Sequence, residues 1–163
     1  MNGNMYNSKK YILRNTILFI VIGILYCSIE LLFRNRTHWS MFILSGFCGI
    51  CFIDTPNNIY SFDLDYTIQV LISTILCTLS EGICGLIVNI WLKLNVWDYS
   101  TLWGTFFFGQ CNIFFVIVWF VLIAFIGIPL CDAVNYYIMK IDPCPYYKIF
   151  GKVFLRFKER KDT

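Results

Sequence analysis

The apolar positions of this chain fall in long unbroken blocks instead of the short alternations of a soluble fold. Four blocks stand out, over residues 11–33, 39–53, 68–92 and 106–128, with polar stretches between them. A helix needs about 20 apolar residues to cross a hydrocarbon core roughly 30 Å thick. The first, third and fourth blocks meet that length. The second is short, so it reads either as a thin crossing helped by Thr37 and His38 or as a re-entrant hairpin buried against its neighbours. A crossing is favoured, and Gly46 and Gly49 would let another helix approach closely. The first block continues past Tyr26 through Ile29, Leu31 and Phe33 without a small-residue cleavage signal, and is expected to stay as an anchor. Between blocks, Asp54-Thr55-Pro56-Asn57-Asn58 predicts a turn, and Pro129 is expected to stop the fourth helix.

The expectation is an all-α, polytopic integral membrane bundle of four helices over residues 1–132, entered by a loose polar stretch over residues 1–10. Residues 133–163 form a basic tail. Within it Tyr147, Phe150, Phe154 and Phe157 recur at steps of three or four, while Lys148, Lys152 and Arg156 recur at steps of four. Both stripes predict an amphipathic basic helix lying in the headgroups, with Lys148, Lys152, Arg156 and Lys158 against the membrane surface. A disordered basic tail that only fixes topology is the alternative.

Composition agrees with the blocks. Hydrophobic residues make up 58% and charged residues 14%, with a mean hydropathy of +0.67. A soluble domain carries about 25% charged residues. The net charge of +3 hides a local bias, because Lys148, Lys152, Arg156, Lys158, Arg160 and Lys161 face Glu159 alone. Beside spanning helices the expected partner of that bias is lipid and not nucleic acid. An even number of crossings puts both ends on one side, and Lys9, Lys10, Arg14 and the tail make that side cytoplasmic. Arg34 and Arg36 in the first external loop argue mildly against it.

The chain has eight cysteines, most of them inside or beside apolar blocks, where a thiol packs as a small hydrophobe. Cys48 and Cys51 form a lone C-x-x-C, and a zinc site would need a second pair or a nearby histidine; the single one is His38. No P-loop, H-E-x-x-H or G-x-S-x-G occurs. The expectation is no enzyme, no cofactor and no metal.

Polar residues inside apolar blocks need a reason. Glu81 lies mid-way along the third block, where an unpartnered carboxylate costs several kcal/mol. At about 100° per residue, Glu81, Gly85 and Asn89 share one helix face, which should turn toward the bundle interior. That stripe lines a solute or proton path, or it is a packing contact; the residues alone leave both open. Glu30 and Arg34 are spaced for an i,i+4 ion pair. Gln110 and Asn112 are placed to bond Asn89 or the Trp97-Asp98-Tyr99 turn, and Asp98 is suited to capping that turn.

The blocks Glu81…Asn89-Ile90-Trp91…Asn95-Val96-Trp97-Asp98-Tyr99-Ser100…Gly109-Gln110-Cys111, with Glu30 to Arg34 and Thr37 to Phe42, resemble a bacterial family of ABC-transporter permeases, the type IV or CmpB-like group. The resemblance covers roughly residues 28–128. Two departures stand out: Leu102-Trp103-Gly104-Thr105-Phe106 replaces a P-F-N-like segment, and Ile53-Asp54-Thr55-Pro56 replaces a glycine-rich end followed by N-E. The resemblance implies a multi-pass protein of the bacterial cytoplasmic membrane, a small oligomeric permease subunit served by a separate ATPase, with Glu81, Asn89, Asp98 and Gln110 as its polar residues. The other reading is a non-transporting scaffold or regulator that binds partners within the bilayer.

Overall fold

The structure is a computed structural model that describes residues 2–141 and 143–160, with side chains described from residue 9 onward. Lys161 of the basic tail lies outside the described residues. Four long helices dominate: α1 (Asn2–Arg34), α2 (Trp39–Ile59), α3 (Tyr66–Trp91) and α4 (Ile113–Ile138). Each is long and apolar enough to cross a membrane. Helix α1 takes in the residues expected to be loose ahead of the first block. The surface is inverted relative to a soluble protein. Ile20, Ile24, Ile75, Ile83, Ile117 and Phe125 are exposed, while Ser45, Ser73, Thr74 and Glu81 are buried. Lipid makes the outward apolar faces favourable, and polar groups turn inward to find partners. The chain is a helical membrane protein.

Close α1–α2 packing rests on missing side chains. A Cβ on Gly46 would stand 2.8 Å from the Phe19 ring, and one on Gly23 would stand 2.6 Å from the Phe42 ring. Asn35 in the left-handed region (φ 53°) ends α1, and His38 caps α2 by accepting from the Ser40 amide at 3.3 Å. Asp65 caps α3 through the Thr67 amide at 2.9 Å.

Helix α2 reaches spanning length, because the residues expected to form a turn continue it. A π-helical stretch at Gly49–Asp54 widens the coil, and Pro56 follows two residues later without interrupting it. Helix α4 behaves alike: Ile123–Gly127 is π-helical and Pro129 does not stop the helix, which runs on to Ile138. A wider turn relieves the clash between a proline ring and the preceding turn's carbonyl, and the missing N–H costs less where the ladder is already re-registered.

The fourth helix also starts later than its apolar block. Phe107, Phe108 and Gly109 all have positive φ (54°, 57° and 83°), which no right-handed helix accepts. They form the turn between two short strands, β1 (Thr105–Phe106) and β2 (Cys111–Asn112). Asn112 then caps α4 by accepting from the Phe114 amide at 2.9 Å.

The tail is the main departure from expectation. The predicted amphipathic helix is instead a hairpin of β3 (Tyr146–Ile149) and β4 (Lys152–Arg156). Phe150 (φ 49°) and Gly151 (φ 76°) have the paired positive angles of a two-residue hairpin turn. Tyr147 is buried against Tyr66, with ring centroids 4.4 Å apart, which anchors the hairpin under α3. Lys148 pairs with Asp63, and the Phe150 amide donates to Asp65 at 2.7 Å. Lys152, Arg156 and Lys158 are exposed.

Candidate functional site

Glu81 is 3% exposed, on the inner face of α3. Its Oε2 accepts from Trp119 Nε1 of α4 at 2.8 Å, and its Oε1 accepts from the Tyr99 hydroxyl at 3.3 Å. Both donors are neutral, so among the described residues the carboxylate has hydrogen bonds but no cation on it. Trp119 is held flat against Tyr26 of α1 (5.2 Å, 5° between planes), and Tyr99 is held against Phe115 (4.5 Å). Burial pushes the Tyr99 hydroxyl above its ordinary pKa, and the nearby Glu81 charge pushes it further, so it stays a donor.

Beside Glu81 lies a cavity of about 620 Å³. Glu81, Glu30, Arg34 and Tyr99 give it a polar end; Ile29, Phe115, Val118 and Leu122 give it an apolar body. Phe33, Phe114, Ile117 and Val121 belong to its wall and are also exposed on the bundle surface. The cavity therefore opens sideways between α1 and α4, toward lipid. Arg34 donates to Glu30 at 2.7 Å, as the i,i+4 spacing predicts, and Thr37 donates to the other Glu30 oxygen at 2.5 Å. Two carboxylates and one guanidinium thus share this end of the cavity.

The remaining predicted site residues serve a different purpose. Asn89 Nδ2 donates to Gln110 Oε1 at 2.7 Å, while Asn89 Oδ1 accepts from the amide of Val96 at 2.7 Å. Trp97, also buried, donates its indole N–H to the Gln110 carbonyl at 3.0 Å. These bonds lash the long loop to the end of α3. A Cβ on Gly85 would stand 2.6 Å from Gln110 Oε1, so the shared face of Glu81, Gly85 and Asn89 makes room for that glutamine. Asp98 is exposed and caps its own turn, accepting from the Ser100 amide at 2.8 Å and from its hydroxyl at 3.0 Å. Of the four polar residues proposed together, only Glu81 reaches the cavity. Asn89 and Gln110 position the loop that carries Tyr99.

A second buried polar cluster was not anticipated from the sequence. The pattern D-x-x-N occurs at Asp54–Asn57 on α2 and at Asp132–Asn135 on α4. The two pairs cross. Asn57 Nδ2 donates to Asp132 Oδ1 at 2.7 Å, and Asn135 Nδ2 donates to Asp54 Oδ1 at 2.9 Å. Arg14 of α1 binds the other Asp54 oxygen at 2.5 Å, and the Tyr147 hydroxyl donates to the other Asp132 oxygen at 2.7 Å. Residues near the start of α1 and near the ends of α2 and α4 meet here, which places both ends of the bundle on one side. The repeated spacing was a readable signal, obscured because residues 54–58 look like a turn and Asp132 falls beyond Pro129.

Among the described residues, no group of three or more histidine, cysteine, aspartate or glutamate side chains is arranged to hold a metal ion. Cys48 and Cys51 are free thiols, as are the other cysteines.

Fold and site together define a small four-helix membrane protein with a side-opening, carboxylate-ended cavity. The chain matches no protein-family model, no curated protein and no solved structure.

Proposed function

We propose that the chain is a permease-like membrane subunit whose cavity beside Glu81 receives an amphipathic solute with an apolar body and a cationic, hydrogen-bond-donating head. The observation that carries this reading is a buried carboxylate with only neutral donors on the wall of an otherwise apolar cavity open toward lipid. Glu30 is already matched by Arg34, so the polar end retains one uncompensated negative charge when Glu81 is ionised. A cationic head balances that charge, and the wall beyond it takes an alkyl or aromatic body. The motif resemblance to CmpB-like permeases supports the same reading and implies a separate ATPase and a bacterial cytoplasmic membrane.

The test uses purified protein in lipid nanodiscs, titrated with dodecylamine and with dodecanol. A hydrogen bond to a charged partner is worth about 1.5–3 kcal/mol, so Glu81→Gln should weaken amine binding about tenfold to a hundredfold. Alcohol binding should stay within about threefold. Val118→Trp, which fills the apolar body of the cavity, should weaken both. Equal amine affinity in wild type and Glu81→Gln contradicts the proposal.

A second reading is favoured by the exposed apolar rim of Phe33, Phe114, Ile117 and Val121, which a partner's helix could cover. On that reading the protein is a non-transporting scaffold, reconstituted vesicles show no flux, and a membrane partner co-purifies whose release is promoted by Val118→Trp.

A further inference from the structure

The crossed D-x-x-N pairs have a chemistry of their own. Asn57 and Asn135 are each 5% exposed, and Asp54 and Asp132 are 0% and 3% exposed. Each asparagine spends its amide nitrogen on the other helix's aspartate. That fixes the direction of both amides and leaves Asn57 Oδ1 and Asn135 Oδ1 as buried acceptors with no hydrogen-bond partner among the described residues. A buried polar oxygen without a partner is destabilising, and here there are two, on facing helices.

Charge points the same way. One guanidinium, Arg14, sits on Asp54, whereas among the described residues Asp132 accepts only from the neutral donors Asn57 and Tyr147. With both carboxylates ionised the cluster carries one net negative charge inside the membrane-spanning part of the bundle. Oxygen-only donors of this kind, carboxylates and amide carbonyls, suit hard cations. A single net charge is matched by a monovalent ion, whereas a divalent ion would leave an excess positive charge beside Arg14. Both aspartates lie where the helical ladder is re-registered, Asp54 closing the π-helical stretch Gly49–Asp54 and Asp132 following the stretch Ile123–Gly127 and Pro129. A separate cavity of about 490 Å³, lined by Arg14, Asn57, Asn58, Asp132, Asn135 and exposed Ser61, leads to the cluster from the side where the hairpin sits.

We propose that the crossed pairs Asp54–Asn135 and Asp132–Asn57 bind a monovalent alkali-metal cation, held by the two unpartnered asparagine oxygens and balancing the charge of Asp132. This site is independent of the cavity beside Glu81.

The experiment is thermal unfolding of the full chain in detergent, with NaCl, KCl or choline chloride exchanged at constant ionic strength. Sodium or potassium should raise the midpoint by about 2–4 °C once its concentration is several times its dissociation constant, and the rise should saturate. Asp132→Asn removes the charge to be balanced while keeping one oxygen for Asn57 to donate to and an amide that can donate to the Tyr147 hydroxyl, so its midpoint should be the same in all three salts. Glu81→Gln should keep the full response. A wild-type midpoint that is equal in alkali and choline salts overturns the proposal without any variant. An alkali response that survives in Asp132→Asn overturns it as well.

Discussion

Replacing Asn89 by leucine removes the clamp that ties the long loop to α3. Asn89 donates to Gln110 Oε1 at 2.7 Å and accepts from the Val96 amide at 2.7 Å. Leucine does neither, and Gln110 cannot drift away to find water, because its side chain lies where a Gly85 Cβ would be. Two groups then lose their partners at about 1–3 kcal/mol each, so Asn89→Leu should cost about 2–6 kcal/mol in total. For a chain of this size that is a fall in unfolding midpoint of about 4–24 °C. Asn89→Asp should be far milder. It keeps the acceptor for Val96, and Gln110 can turn its amide over and donate to the new carboxylate, giving up its bond to the Phe108 carbonyl at 3.2 Å for about 0.5–1.5 kcal/mol. Removing both partners in Asn89→Leu/Gln110→Leu should cost at least about 1 kcal/mol less than the two single losses added together. The assay is unfolding in detergent followed by near-ultraviolet circular dichroism. Additivity within about 0.5 kcal/mol, or an aspartate variant as damaged as the leucine one, would refute the clamp.

Other outcomes follow from packing and charge. Gly46→Ala should cost about 1–3 kcal/mol in the same assay, because its Cβ meets the flat ring of Phe19 at 2.8 Å. The hairpin contact between Lys148 and Asp63 is pH-bounded. The Lys148 hydrogen bond holds the Asp63 carboxyl below its ordinary 3.8, and Asp63 in turn raises Lys148 above its ordinary 10.5. The Asp63 contribution is fully present above 3.8 and is lost as pH falls through the depressed value; the Lys148 contribution is fully present below 10.5 and is lost as pH rises through the raised value. Protease cleavage within the hairpin should therefore be slow and flat between these limits and faster on both sides, and Asp63→Asn should shrink the acid limb to the part that Asp65 supplies by accepting from the Phe150 amide. Phe150 should resist most replacements poorly at its positive φ, so Phe150→Gly should tighten the hairpin, read as slower cleavage.

Much of the architecture was legible because lipid selects long apolar blocks, and four such blocks became four helices. Boundaries were harder. Pro56 and Pro129 normally end helices, but the π-helical stretches at Gly49–Asp54 and Ile123–Gly127 absorb them, and nothing in a hydropathy pattern announces a π turn. Phe107 and Phe108 extend the fourth apolar block although positive φ bars them from a helix; Asn112, an N-cap type placed just ahead of Ile113, was the better marker. In the tail, the three-to-four spacing of Tyr147, Phe150, Phe154 and Phe157 looks helical, yet Gly151 flanked by Ile149 and Val153 is the turn and strand chemistry that prevails. Glu81 was readable as a buried carboxylate, and its neighbours Trp119 and Tyr26 were not, since both come from other helices.

The most direct measurement is quenching of Trp119, whose indole touches the Glu81 carboxylate inside the side-opening cavity. In nanodiscs, the share of emission that Trp119→Phe removes should be quenched by phospholipids brominated along their acyl chains and left unchanged by aqueous iodide. Quenching by iodide with none from brominated chains would place this residue against water and contradict a carboxylate reached from the membrane.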